Sequence, residues 1–302
     1  MTEHPQRPDE PEDHTAVVRE RRHLVNVAYR LLGSLTEAED AVQETYSRWY
    51  AMSAEQQREI ESPVAWLTTV TSRVCLDVLK SARVRREQYV GEWVPEPLPS
   101  ATTADPGDRV TLDESVNMAL LVVLEAMTPA ERVAFILHDV FHYPFEEIGR
   151  IVGRSSAACR QLASSARHRV DGSSGIATPS PDQARLVTAF ARAWEAQDVR
   201  GLVDLLDPDA TVVADGGGLV NAARRPIRGA DRLARFLAQL GRKGEALGVE
   251  LAEATVNGQP GLTGRMAGET VLVLAFGVEQ GRIRNLWAMV NPEKLRLWNQ
   301  PI

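Results

Sequence analysis

The sequence predicts a multidomain protein in which two all-α helical domains are followed by an α+β domain. Three observations predict it. At roughly 150 residues per domain, 302 residues suit two or three domains. Apolar residues recur at helical spacing from about residue 15 to residue 170, without strand-like alternation. After a Gly-, Ser- and Pro-rich stretch at 171–181, alternating and continuous apolar runs of strand type appear for the first time. The expected boundaries are a disordered tail at 1–14, a helical domain at 15–90, a linker at 91–110, a second helical domain at 111–170, a linker at 171–181 and the α+β domain at 182–302.

Each element has its own signal. Val17, Leu24, Val27, Ala28, Leu31 and Leu32 mark an amphipathic helix that stops at Gly33. Thr36-Glu37-Ala38-Glu39 reads as a capping box opening a second helix, with Ala38, Ala41, Val42, Thr45 and Trp49 as its buried stripe. A polar loop at 51–62 leads to Ser62-Pro63, an N-cap followed by proline at the first helical position, and to a helix of about seven turns. Four prolines between Gly91 and Asp108 make that linker extended. Helical patterning resumes at 110–127, and Thr128-Pro129-Ala130-Glu131 is a second capping box. Short helices at 130–142, 144–152 and 155–170 follow, the last two separated by Gly153, a left-handed stop of helix-turn-helix type. In the third domain, 182–198 and 202–207 read as helices. Strands are expected at 210–215, 248–256, 269–280 and 282–290, with turns at 215–218, 257–258 and 280–281, giving helices on one curved antiparallel sheet.

Composition excludes several functions. No apolar run reaches the ~18 residues of a membrane span, and the acidic start lacks the order of a secretory signal, so a cytoplasmic protein without membrane contact is expected. Cys75 and Cys159 lie far apart without metal-ligand spacing, so neither a disulfide, a metal site nor a cofactor is expected. The net charge of -7 argues against general nucleic-acid affinity, yet local charge is sharply segregated. Arg73, Lys80, Arg83, Arg85 and Arg86 face a single acid, Asp77, and the segment from Arg150 to Arg169 has five arginines and no acid. Glu37 to Glu44, by contrast, has four acids and no base.

These basic islands have the chemistry of DNA contacts. In 144–169, Ile148, Ile151 and Val152 with Ala158, Leu162 and Ala166 can close a small core. Ser155, Ser156, Ala157, Arg160, Gln161, Ser164 and Arg167 then remain for the major groove, the small residues permitting close approach and Arg160 and Gln161 making forked contacts. The first island lies beside Trp66, Thr68 and Thr69, a mixture of cations, aromatic and hydroxyl groups suited to an opened strand, although Trp66 reads first as an ordinary core residue. The two islands would thus be two DNA contacts joined by a flexible, acidic, proline-containing strap that sets their mutual reach.

Segments 24–49 and 62–87 resemble regions 2.1 to 2.4, and 111–170 resembles region 4, of sigma factors of the extracytoplasmic-function (ECF) type in the sigma-70 family. The resemblance implies that Glu39, Asp40, Gln43 and Glu44 bind core RNA polymerase. It also implies that Arg73, Lys80, Arg83, Arg85 and Arg86 open and read the minus-ten element, and that the second island reads the minus-thirty-five element of promoter DNA. A narrower resemblance is to the subgroup with a SnoaL-like C-terminal extension of the cone (NTF2-like) fold. It rests on Trp93-Val94-Pro95-Glu96-Pro97, on Asp215-Gly216-Gly217-Gly218 followed by Leu219 where Lys is usual, and on Asn291-Pro292-Glu293-Lys294-Leu295. Those motifs are expected to make regulatory contacts.

Residues 182–302 contain no His, Tyr or Cys, so Asp215 or Glu195 would be a base without an electrophilic partner, and no enzyme is expected. The expected function is promoter-specific initiation by a monomer regulated in cis, with a small-molecule ligand in the C-terminal pocket as a further expectation. The alternative is a one-component helix-turn-helix regulator whose C-terminal domain binds an effector.

Overall fold

A computed structural model describes residues 20–87, 89–99, 117–172 and 181–300 of the chain. The expected tail at 1–14 and most of both linkers lie outside these residues, as do the side chains of Arg83, Arg85 and Arg86. Helix α1 (Arg21–Leu32) ends at Gly33, whose φ of 71° lets its N–H return to the Tyr29 carbonyl. Helix α2 (Leu35–Tyr50) starts earlier than the Thr36 box suggests: Ser34 is the N-cap and accepts from the Glu37 N–H. Its buried stripe is the expected one, Ala38, Ala41, Val42, Thr45 and Trp49, with Leu35 added at the start. The polar loop contains a short helix α3 (Ala54–Arg58), closed by a Ser53–Gln56 capping box. Helix α4 (Pro63–Glu87) runs for 25 residues.

The second helical unit consists of α5 (Met118–Glu125), α6 (Pro129–Phe135), a π-turn at Ile136–Val140, α7 (Phe145–Val152) and α8 (Ser156–Asp171). Thr128 and Glu131 make the expected reciprocal cap, and Gly153 takes the left-handed conformation. One expectation needs correction. Cys159, Ala163 and Ala166 form the buried stripe of α8, whereas Ala158 and Leu162 are only half-buried. The helix is thus rotated relative to the stripe expected from Ala158 and Leu162.

The two helical units are not held apart. One hydrophobic core runs from Leu24, Leu31 and Trp49 through Leu67 and Leu76 to Leu124, Ile136, Ile148 and Cys159. Polar contacts cross the same boundary. Arg132 on α6 donates to the Leu31 carbonyl at 2.8 Å, Tyr143 donates to Thr68 Oγ1 at 3.1 Å, and Arg73 on α4 donates to the Arg150 carbonyl on α7 at 2.9 Å.

In the third domain α9 (Pro181–Glu195) and α10 (Val199–Leu205) precede β1 (Leu206–Asp215). Then come β2 (Ile227–Arg228), α11 (Ala230–Ala246), β3 (Glu250–Val256), β4 (Gln259–Met266), β5 (Glu269–Glu279) and β6 (Arg282–Met289). The strand order is β2-β1-β6-β5-β4-β3. The sheet is mixed rather than antiparallel, because β1 lies parallel to β6. Period-two alternation splits its residues between two cores. Leu274, Phe276 and Leu286 face a core with Phe190, Trp194, Leu233 and Leu237 of the helices. Val273, Ala275, Trp287 and Met289 face a smaller one containing Val94 of the linker and Met118 of α5. The sheet therefore has its own helices on one face and the linker and second helical unit on the other.

Candidate functional site

The linker motif, the glycine loop and the C-terminal motif meet at one buried carboxylate. Asp215, at the end of β1, is fully buried. Its Oδ1 accepts from the Tyr89 hydroxyl at 2.6 Å and the Gly217 N–H at 3.0 Å. Its Oδ2 accepts from the Val94 N–H at 2.9 Å and the Lys294 ammonium at 2.7 Å. Lys294 also donates to the Val94 carbonyl at 2.6 Å and lies over the Trp93 ring, 3.1 Å from its centroid. Asn291 donates to the Tyr89 hydroxyl at 3.1 Å, and its own carbonyl caps Glu293. Burial, with Asp215 as the acceptor, drives the Tyr89 hydroxyl pKa upward. Gly217 has a φ of 63°, and a Cβ there would come within 2.4 Å of the Asn291 amide, so the loop can approach Asn291 only without a side chain.

Linker residues 96–99 extend this clasp to the first helical unit. Trp298 donates to the Pro97 carbonyl at 2.8 Å. Leu98 pairs with Asn257, donating to its side-chain oxygen at 3.1 Å and accepting from its backbone N–H at 2.9 Å. Asn257 Nδ2 donates to the Tyr29 hydroxyl at 2.7 Å, which in turn donates to the Glu96 carbonyl at 2.8 Å. A buried polar chain thus runs from the β3–β4 turn through Tyr29 on α1 to the linker. The Glu96 backbone N–H donates to the Gly33 carbonyl at 2.8 Å. Its carboxylate accepts from the Leu35 N–H at 2.9 Å and the Ser34 hydroxyl at 3.1 Å, adding a cap to α2 from outside the helix.

Burial pushes the Glu96 carboxyl above the usual carboxylate range, although its donors and Lys294 pull the other way. With the folded pKa raised, the folded chain holds more proton than the unfolded chain just above the unfolded value. The stabilising contribution is full below the unfolded pKa and is lost as pH rises through the folded one. The unfolding free energy of the wild type minus that of Glu96→Gln, followed by denaturant titration between about pH 4 and 7, should fall as pH rises. A pH-independent difference would mean that this carboxyl is not held out of water.

The motif residues Trp93, Pro95, Glu96, Pro97, Asp215, Gly216, Gly217, Asn291, Lys294 and Leu295 are buried or half-buried around the clasp. Gly218, Pro292 and Glu293 sit at its margin, with Val90 packed against Gly218. Sequence reading missed Tyr29, Tyr89, Asn257 and Trp298. Asn257 was legible only as a turn residue, yet its side chain is buried with no charge to signal it.

The charged faces lie elsewhere. Glu39, Asp40, Gln43 and Glu44 are exposed together on α2, opposite its buried stripe, with Arg21 3.6 Å from Glu39 and Arg48 2.9 Å from Glu44. Arg73 and Lys80 are exposed on α4. On α8, Ala157, Arg160, Gln161 and Ser164 are exposed. Arg160 lies over the Phe145 ring and 3.9 Å from Glu146. Besides Arg160, three more of the expected contact residues have internal partners. Ser155 caps α8 through the Ala158 N–H, Ser156 donates to Glu146 at 3.3 Å, and Arg167 is paired with Asp139.

Comparison with known proteins identifies the three parts of the chain. Residues 16–85 match the family Sigma-70 region 2, residues 117–170 match Sigma-70, region 4, and residues 187–285 match the SnoaL-like domain. The chain is 41% identical over 286 residues to the ECF RNA polymerase sigma factor SigJ of Mycobacterium tuberculosis, covering 91% of this chain and 90% of that one. It is 37% identical to the probable ECF RNA polymerase sigma factor SigI of the same organism, covering 91% and 92%. The crystal structure of M. tuberculosis SigJ superposes with a TM-score of 0.74 at 36% identity, covering 95% of this chain and 99% of that one.

Proposed function

The chain belongs to the ECF RNA polymerase sigma factors, and from that premise we propose how its parts divide the work of initiation. The α2 face formed by Glu39, Asp40, Gln43 and Glu44 docks on core RNA polymerase. Arg73, Lys80, Arg83, Arg85 and Arg86 of α4 engage the minus-ten element, while the α7–α8 helix-turn-helix places Ser155, Ser156, Ala157, Arg160, Gln161, Ser164 and Arg167 at the minus-thirty-five element. The C-terminal SnoaL-like domain regulates both in cis by holding the linker between them.

One observation carries this reading: Asp215 and Lys294 of the C-terminal domain bind the linker backbone at Val94 from both sides. Moving Val94 relative to the C-terminal domain would break that clasp. Arg73 also makes a hydrogen bond to α7, so turning its guanidinium to promoter DNA gives up that contact between the units. Asp215 has four donors on its two oxygens, which supports a structural role for the strongest candidate base in the domain. The space between α9–α11 and the sheet is filled by side chains such as Phe190, Trp194, Phe276 and Leu286. Two open grooves beside α9, of about 450 and 400 Å³, are places where a small-molecule ligand could bind.

Asp40→Arg tests the docking face. The site is exposed and its substitution should leave stability within about 0.5 kcal/mol. Affinity for core polymerase, measured by titration of labelled chain, should fall at least tenfold. Unchanged affinity would remove α2 from the interface.

A further inference from the structure

The C-terminal domain carries a third basic surface that the clasp does not use. Between residues 224 and 242 six arginines, Arg224, Arg225, Arg228, Arg232, Arg235 and Arg242, face a single acid, Asp231. All six are exposed. Arg224 and Arg225 lie on the loop entering β2, Arg228 is on β2 at the edge of the sheet, and α11 packs against that strand. On α11, Arg232, Arg235, Gln239 and Arg242 are spaced three, four and three residues apart, opposite the buried Leu233, Ala234, Leu237 and Ala238. At about 1.5 Å per residue the helical part of the stripe spans about 15 Å.

Among the described residues nothing accounts for it. Arg48, Lys80, Arg132, Arg167, Arg169 and Arg284 each have a carboxylate partner. Among the described residues none of the six stripe arginines is in an ion pair or donates a side-chain hydrogen bond. Arg232 and Arg235 repel one another at i, i+3, and Arg232 in the first turn also opposes the positive end of the helix dipole. Such a face is stabilised by an external array of negative charge. Duplex DNA offers one phosphate per ~3.4 Å on each strand, so the helical stripe alone spans several. Guanidinium forks match phosphate oxygens better than ammonium groups do.

We propose that the β2–α11 face binds the phosphate backbone of duplex DNA without reading its sequence. This deepens the role proposed above, since a sigma factor would bring this domain near promoter DNA. The C-terminal domain then tethers DNA as well as clasping the linker.

The test compares Arg232→Gln/Arg235→Gln with Arg192→Gln/Arg265→Gln, which removes equal charge from α9 and β4 outside the stripe. Binding of each full-length chain to a promoterless duplex of about 30 base pairs is measured at a series of salt concentrations. Removing two phosphate contacts should flatten the slope of log K against log salt by about two, with the largest loss of affinity at low salt. The control should keep the wild-type slope. Equal slopes for the two variants would overturn the proposal. So would an unchanged DNA slope with weakened binding to core polymerase, which would assign the face to a protein partner. Because this assay contains no promoter or polymerase, its failure leaves the sigma-factor reading standing. Absence of polymerase-dependent initiation by the wild type would instead defeat that reading alone.

Discussion

Asp215→Ala should destabilise the full chain by about 3–5 kcal/mol, because it strands the Lys294 ammonium, only 9% exposed, between a tryptophan ring and the Val94 carbonyl. A buried charge deprived of its partner costs more than the lost attraction, so the double variant Asp215→Ala/Lys294→Met should recover part of that loss. Denaturant unfolding followed by circular dichroism checks both. Glu195→Ala, at an exposed carboxylate of the same domain, should stay within about 0.5 kcal/mol of wild type. Equal stability of Asp215→Ala and wild type would mean that the three motifs do not form a clasp.

The second large effect is expected at the boundary between the helical units. Arg132 is 3% exposed and donates from one nitrogen to both the Leu31 carbonyl and Glu125, and burial has pushed its guanidinium down to about 10. It remains charged at neutral pH. Arg132→Met leaves the Glu125 carboxylate and the Leu31 carbonyl without this donor, an expected loss of about 3–5 kcal/mol. Arg132→Lys should restore only part of it, since a single ammonium on a flexible stem does not reproduce the position of the planar fork. A pair of spin labels on exposed Arg58 and Ser164 should report longer distances for the Met variant. An unchanged distance distribution would show that the apolar core alone holds the units together.

Much of the helical part was legible because its signals are local. The α2 stripe, the Thr128–Glu131 box and Gly153 depend on periodicity and caps within a few residues. The charged face of α2 followed directly from that stripe. Elements that depend on distant partners were not legible. Strand β4 contains Pro260, Gly261 and Gly264 and becomes a strand only by pairing with β3 and β5. Helix α11 has two glycines and a dense arginine face, and its apolar stripe makes sense only against the sheet.

The clasp was half legible. Its three motifs stood out as short signatures, but their meeting at Asp215 depends on β1 and β6 running parallel, which the expectation of an antiparallel sheet missed. Tyr29 looked like one more residue of an apolar helix, and no local pattern ties its hydroxyl to Asn257, 228 residues away. The union of the two helical units was likewise hidden. An acidic, proline-rich linker suggests separation, whereas Leu31, Leu124 and Ile136 share one core beneath it.

The most direct test is run-off transcription from a cognate promoter with purified core polymerase, comparing the full chain with a chain ending at Asp171. The account predicts promoter-dependent transcript from both, with different yield once Asp215 and Lys294 no longer hold Val94. Identical yields would contradict regulation by the clasp, and no promoter-dependent transcript from either would contradict the initiation role itself.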